Sequence, residues 1–273
     1  MQKVHSIPVA VLMSVFNRDD AALVERAVES ILLQDYRGGP VRLYLCIDGP
    51  LRPATMAVLQ RRSGSIHKLL RNERNEGLAR SLNRLLDALD DEAFVFRMDS
   101  DDYSHPDRIT VQVATLEARP DVDILGGAIR EVDRDGRVIR TVHYPADGAE
   151  IRHFIARRSP LAHPTVCFRR RAVDRFRHYP EVRVNQDWAL WYECLALGLR
   201  LSNVDAVLVD MTVSDDFFRR RGAGRALDEF RISCRGIRRL YGVSWRYAWP
   251  AMRLAFRLLP QPLIRLAYRS RLR

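Results

Sequence analysis

Apolar runs of two kinds alternate through the first hundred residues. Pro8-Val9-Ala10-Val11-Leu12-Met13-Ser14-Val15 is an almost unbroken apolar run of strand length, which predicts a strand covered on both faces. It ends at Asn17, and Asp19 or Asp20 can cap a helix whose apolar pairs Leu23/Val24, Ala27/Val28 and Ile31/Leu32 recur every four residues. A second strand, Val41 to Ile47, stops at Asp48-Gly49-Pro50. A helix near Thr55–Arg62, a short strand Lys68–Leu70, a helix with Leu78, Leu82, Leu85, Leu86 and Leu89 on one face, and a strand Ala93–Met98 follow. Strands alternating with helices predict an α/β fold with a mainly parallel central sheet and flanking helices. Ligands of such sheets bind beyond the carboxyl ends of the strands, so Asn17, Asp48 and Asp99 should converge on one edge.

Beyond that point Ser104-His105-Pro106-Asp107 reads as a capping box for a helix running to about Ala118. Asp121–Asp133 and Arg137–His143 read as extended segments around the turn Asp135-Gly136.

Charge divides the chain. Of the formal net charge of +11, all is accounted for by the stretch after Ser214, which holds 15 arginines against Asp215, Asp216, Asp228 and Glu229. The expected organisation is therefore a catalytic domain over 1–214 and a basic helical tail over 215–273. On a helix Ser244–Leu259, Arg246, Arg253 and Arg257 share one face, with Trp249, Met252 and Phe256 mainly on the other. Arg265, Arg269 and Arg273 repeat the pattern after Pro260 and Pro262. Arginine opposite apolar residues suits an anionic membrane surface, with packing on the core as the alternative. A neutral body without a recognised binding motif argues against nucleic acid as a partner. Met1–Pro8 has no run of seven or more apolar residues after Lys3, and no run of about 18 uncharged apolar residues occurs, so neither a signal peptide nor a transmembrane helix is expected. Cys46, Cys167, Cys194 and Cys234 lack metal-type spacing and read as reduced, buried thiols of a cytoplasmic protein.

The candidate chemistry centres on Arg97-Met98-Asp99-Ser100-Asp101-Asp102. Carboxylates crowded at the end of a buried strand repel one another unless a cation compensates, and oxygen ligands of this kind suit Mg²⁺ or Mn²⁺ completed by phosphate oxygens. A nucleotidyltransferase would share that chemistry, but it would carry a Gly-rich basic loop after the first strand, where this chain has Ser14-Val15-Phe16-Asn17.

Several segments, in order, resemble the family 2 glycosyltransferases of the GT-A fold. They are Val11-Leu12-Met13-Ser14-Val15-Phe16-Asn17, Ser30-Ile31-Leu32-Leu33-Gln34, Asp48-Gly49-Pro50-Leu51, Asn75-Glu76-Gly77-Leu78-Ala79 with Ser81-Leu82-Asn83, the acidic cluster, His163-Pro164-Thr165-Val166 and Gln186-Asp187-Trp188. Asp48-Gly49-Pro50-Leu51 is similar to the branch that makes amylovoran and other exopolysaccharides. The resemblance implies an inverting transfer from a nucleotide-diphosphate sugar, a UDP-sugar by preference, to a saccharide or lipid-linked acceptor. It implies that Asp48 accepts a hydrogen bond from the base, that backbone at Phe16 lines the base pocket, and that Gly77 opens a helix beside the donor. Asp99 would meet the ribose or a metal-bound water, Asp101 would ligate the metal, and Asp102 is left open. Asp187 would be the general base, although Gln186 replaces the acidic residue that family members usually carry before it. His163 falls in the acceptor segment, with a core role as the alternative. Arg219-Arg220-Arg221 falls where relatives have a loop over the diphosphate, with a solvated face as the alternative. Surface polysaccharide assembly would place the enzyme at the cytoplasmic face of the inner membrane.

Overall fold

The computed structural model describes residues 6–213 and 223–258. Its first half is a regular alternation: β1 Val9–Phe16, α1 Ala21–Leu32, β2 Val41–Asp48, α2 Pro53–Arg61, β3 Lys68–Asn72, α3 Leu78–Asp87 and β4 Phe94–Met98. All four strands are parallel, in the order β3-β2-β1-β4. β1 is apolar at nearly every position because both its faces are covered: Ala10 and Leu12 belong to one core layer with α3, and Val9, Val11, Met13 and Val15 to the other with α1 and α2. Asp20 caps α1, its carboxylate accepting from the Ala22 amide at 2.9 Å.

The second half is less regular. It contains β5 Tyr103–Ser104, α4 Arg108–Ala118, β6 Ile124–Val132, β7 Val138–Val142, α5 Gly148–Phe154, a 3-10 turn His163–Thr165, β8 Cys167–Arg169, α6 Arg170–Phe176, α7 Gln186–Ala196 and β9 Leu201–Thr212. β8 joins antiparallel to β4 and β6, β9 runs parallel to β6, and β5 closes the far edge against β9. The described sheet is thus mixed, with the parallel part carrying the strand ends of interest. The capping box expected at Ser104 is absent. Ser104 is spent in β5, where it receives Gln34 Nε2 at 3.1 Å, and the helix begins four residues later at Arg108.

Residues 223–258 form α8 Ala223–Tyr241 and α9 Ala248–Leu258. α8 lies against α7: Ile237 is fully buried in the main core, and a Cβ at Gly236 would sit 2.2 Å from Cγ of Tyr192. α9 turns its arginines inward. Arg253 lies over the Trp188 ring at 4.9 Å and Arg257 bonds Glu229 at 2.8 Å, while Trp245, Met252, Phe256 and Leu258 face outward. The Arg219-Arg220-Arg221 run and the repeat at Arg265, Arg269 and Arg273 lie outside the described residues. The four cysteines are unpaired, three of them buried.

Candidate active site

Parallel register sets the donor edge. Phe16 pairs with Asp48, and Asp48 with Asn72, so three chain-distant residues stand level at the carboxyl ends of β1, β2 and β3. β4 runs level with β1 up to Met13 and Met98, which delivers Asp99 to the same edge. Convergence of Asn17, Asp48 and Asp99 follows from this ladder.

Asp48 is buried at 3% exposure and its carboxylate accepts four hydrogen bonds. Asn72 Nδ2 and the Glu76 amide bond Oδ1, both at 2.8 Å, and Asn75 Nδ2 and the Gly77 amide bond Oδ2, both at 2.9 Å. Four lone-pair positions are what a carboxylate offers. In this geometry Asp48 shapes the loop 72–77 around itself and delivers Gly77, at φ +94°, to the start of α3. Gly49 is required beside it: its φ is +85°, and a Cβ there would come within 2.6 Å of the Asn75 nitrogen.

The acidic turn after β4 is pinned on every side. Asp19 Oδ2 accepts from the Phe16 amide at 2.9 Å and from Ser100 Oγ at 2.8 Å, tying the turn to the end of β1. The Asp101 carbonyl accepts from Thr212 Oγ1 at 2.6 Å and from Arg26 at 3.1 Å. Asp102 is 1% exposed and accepts from the Thr212 amide at 2.9 Å, so it anchors the turn to β9. Asp99 is paired with Arg97, and Asp99 and Asp101 remain partly exposed at the edge. Burial, and then the neighbouring Asp99 and Asp19, push Asp101 up to about 6. Asp19 also rises to about 6, chiefly through burial, against the bonds from Phe16 and Ser100. Crowded, proton-holding, oxygen-only donors fit a hard divalent cation, which would stabilise their ionised forms. A second cluster, His67, Asp90 and Glu92, fits less well. It lies at the amino ends of β3 and β4, and its carboxylates already bond Lys68, Arg42 and Tyr44.

The opposite wall comes from the second half. His163 opens the 3-10 turn, with Nε2 3.0 Å from Tyr179 Oη and its ring edge-on to Tyr179 and Trp191. Burial, reinforced by Arg97, holds it neutral, well below the usual histidine range. Asn83 of α3 clamps Tyr179 from the donor side: Nδ2 donates to the Tyr179 carbonyl at 3.0 Å and Oδ1 accepts its amide at 2.7 Å. Asp187 sits in the first turn of α7, partly exposed, with Ser159 Oγ at 3.5 Å. The helix cap itself is Asn185, in the left-handed conformation at φ 51°. Burial raises the Asp187 pKa; Arg97 works in the opposite direction.

Sequence reasoning assigned no role in the site to Asp19, Arg26, Arg97 or Thr212. Asp19 was available as a helix cap, but Asp20 takes that place and frees it for Ser100.

A mixed α/β sheet whose parallel strands present a carboxylate turn and a shaped loop at one edge has the architecture of the GT-A fold. The fold is shared with solved structures, among them S. aureus TarS residues 1–349 in complex with UDP-GlcNAc (TM-score 0.68, 17% identity, covering 92% of this chain and 72% of that one). It is shared also with the mannosyltransferase PcManGT from Pyrobaculum calidifontis in complex with GDP-Man and Mn²⁺ (TM-score 0.65, 17% identity, 96% and 79% covered). The family described as Glycosyl transferase family 2 matches residues 10–176, and the chain belongs to that family. An uncharacterized glycosyltransferase of Haemophilus influenzae is 31% identical over 271 residues, 97% of this chain and 98% of that protein. The amylovoran biosynthesis glycosyltransferase AmsE of Erwinia amylovora is 28% identical over 213 residues (78% and 79%). An Escherichia coli UDP-Gal:alpha-D-GlcNAc-diphosphoundecaprenol beta-1,3-galactosyltransferase is 29% identical over 218 residues (78% and 77%).

Proposed function

We propose that this glycosyltransferase moves a sugar from a UDP-sugar to a saccharide or lipid-linked acceptor with inversion, Asp187 acting as the base. The observation that carries this is the opposition of two sets of carboxylates. Asp99 and Asp101 lie in the turn after β4 and Asp187 in the first turn of α7, and the charges of Arg97 and Asp99 both act on Asp187, which supports a single site. Asp187 takes the proton of an acceptor hydroxyl as its oxygen forms the new bond to the anomeric carbon, and the bond from that carbon to the diphosphate breaks. A raised pKa suits that role, since a base near the working pH transfers protons most effectively. Asp101, with Asp99 reaching through water or to the ribose, would hold Mn²⁺ or Mg²⁺, which supplies charge stabilisation for the departing diphosphate. Phe16 backbone and the loop shaped by Asp48 and Gly77 would receive the base. His163, neutral and bonded to Tyr179, would line the acceptor side as a hydrogen-bonding surface.

The galactosyltransferase of Escherichia coli, by its name, uses UDP-Gal and a diphosphoundecaprenol acceptor, which favours UDP over GDP and a lipid-linked acceptor here. The test is UDP release from a panel of UDP- and GDP-sugars with Mn²⁺. D187N should lose turnover by about 10³-fold while still binding the donor. If no nucleotide sugar binds, the reading fails.

The same reading places the enzyme at the cytoplasmic face of the membrane through residues 243–273. Among the described residues no helix is long and apolar enough to cross a bilayer. The support is the exposure of Val243, Trp245, Met252, Phe256 and Leu258, together with that of Arg235 and Arg238 of α8. With Arg253 and Arg257 turned inward, apolar contact would lead and charge would follow. Flotation with vesicles containing phosphatidylglycerol should recover the full chain, and a W245S/M252S/F256S variant should stay behind. Equal recovery of the two would defeat the membrane role.

A further inference from the structure

Two arginines are fully buried close to the acidic turn, Arg97 at 2% exposure and Arg108 at 1%. They are not equivalent. Arg108 is satisfied as a structural residue: Nε bonds Gln112 at 3.1 Å, one terminal nitrogen the Arg97 carbonyl at 2.8 Å, and the other Met98 Sδ at 3.4 Å. Burial lowers its pKa to about 9. Arg97 pairs with Asp99 through one terminal nitrogen only, and its Nε and second terminal nitrogen have no partner among the described residues. Each buried donor left without a hydrogen bond costs roughly 1–3 kcal/mol, and an apolar side chain of similar volume would fill the space without it. Packing therefore does not account for an arginine at this position. Burial works against its charge, yet Asp99, Tyr179 and Asp102 together hold it charged. The Arg97 amide donates to the Val166 carbonyl at 2.9 Å, which seats this point of β4 against the end of the His163 turn, and the same charge reaches Asp101, His163 and Asp187.

We propose that Arg97 is a positioning residue for both halves of the reaction: it fixes the Asp99 carboxylate at the donor edge and supplies the positive charge that acts on Asp187 at the start of α7. The second half rests on the reading of Asp187 as the base. The groups facing Asp187 are Arg97 and Asp99 from β4 and its turn, Tyr144 from the segment after β7, Tyr179 from the loop before α7, the Ser159 hydroxyl and the Trp188 amide. Of these groups Arg97 alone is a cation, so its removal leaves only the backbone amides at the start of α7 to offset burial and the repulsion from Asp99. Lysine would keep the charge but carries it on a flexible stem without the rigid guanidinium plane that sets one terminal nitrogen against Asp99.

The experiment compares the full chain with R97M, R97K and D187N, measuring kcat/KM against pH and Mn²⁺-dependent UDP affinity. R97M should move the acid limb of the profile upward by about one pH unit and lower kcat by about 100-fold. R97K should leave the limb in place and weaken UDP binding by about 10-fold. A folded R97M with an unmoved limb overturns the proposal. If R97M does not fold, R97K decides, and wild-type UDP affinity in R97K overturns it. D187N separates the two readings. Retained turnover in D187N would remove Asp187 as the base and with it the acceptor half of the Arg97 role, while R97K would still judge the hold on Asp99.

Discussion

Asp101 shows how far a single side chain can be committed to function against stability. Its carboxylate stands beside Asp99 and Asp19 and is pushed up to about 6, so the metal-free protein is strained by its charge. D101N removes that repulsion while keeping the shape of the turn, whose hold runs through the Asp101 carbonyl. The variant should melt at or above the wild-type temperature without metal and lose the stabilisation that Mn²⁺ with UDP gives the wild type. The sign against pH follows: a protonated carboxylate does not ligate, so the Mn²⁺-induced rise in melting temperature should be small below about pH 6 and grow above it. A D101N protein that still gains stability from Mn²⁺ and UDP would remove Asp101 as the ligand. At this scale the sequence made Asp101 legible, because three acids in four residues after an apolar strand is a local pattern. It hid Asp19 and Thr212, because their partners Ser100 and Asp102 lie 81 and 110 residues away and no local period reports such a bond.

Helices and strands divide in the same way. β1, β2 and β4 were legible as buried strands, and their parallel order placed Phe16, Asp48 and Asp99 together. Ser104 was misjudged because hairpin-like pairing of β5 with β9 is a tertiary event that overrides a capping sequence. α9 was legible as an amphipathic helix, but periodicity states that a helix has two faces without saying which one turns inward. Trp188 and Glu229 decide it by receiving Arg253 and Arg257. The seat of α8 on α7 is equally hidden and equally testable. A helix-interior glycine is ordinarily improved by alanine by about 1 kcal/mol. At Gly236 the sign should reverse, because the added carbon would press on the ring of Tyr192, itself buried and bonded to the Ile155 carbonyl at 3.1 Å. G236A should lose about 1–3 kcal/mol in urea unfolding. A gain would mean that α8 and α7 are less closely seated than described.

At the scale of the molecule, the sheet keeps two functions apart and the Asn83–Tyr179 pair joins them. The groups proposed for the donor lie between residues 16 and 101 and those proposed for the acceptor beyond residue 160, so each wall could in principle respond alone. Two hydrogen bonds from one asparagine amide make that unfavourable: α3 does not shift without carrying Tyr179, and Tyr179 carries His163. The consequence is a linked equilibrium. Whatever affinity the nucleotide sugar lends to the acceptor by ordering that wall, the acceptor must return to the nucleotide sugar in equal measure. Histidine ring resonances give the reading: UDP with Mn²⁺ should shift those of His163 in the wild type and leave them still in N83A. The same displacement in both proteins would show that the two walls speak through some other contact. If the shift is lost in N83A, hydrolysis of the donor in the absence of an acceptor should rise in that variant, since a wall that no longer reports its partner no longer guards against water.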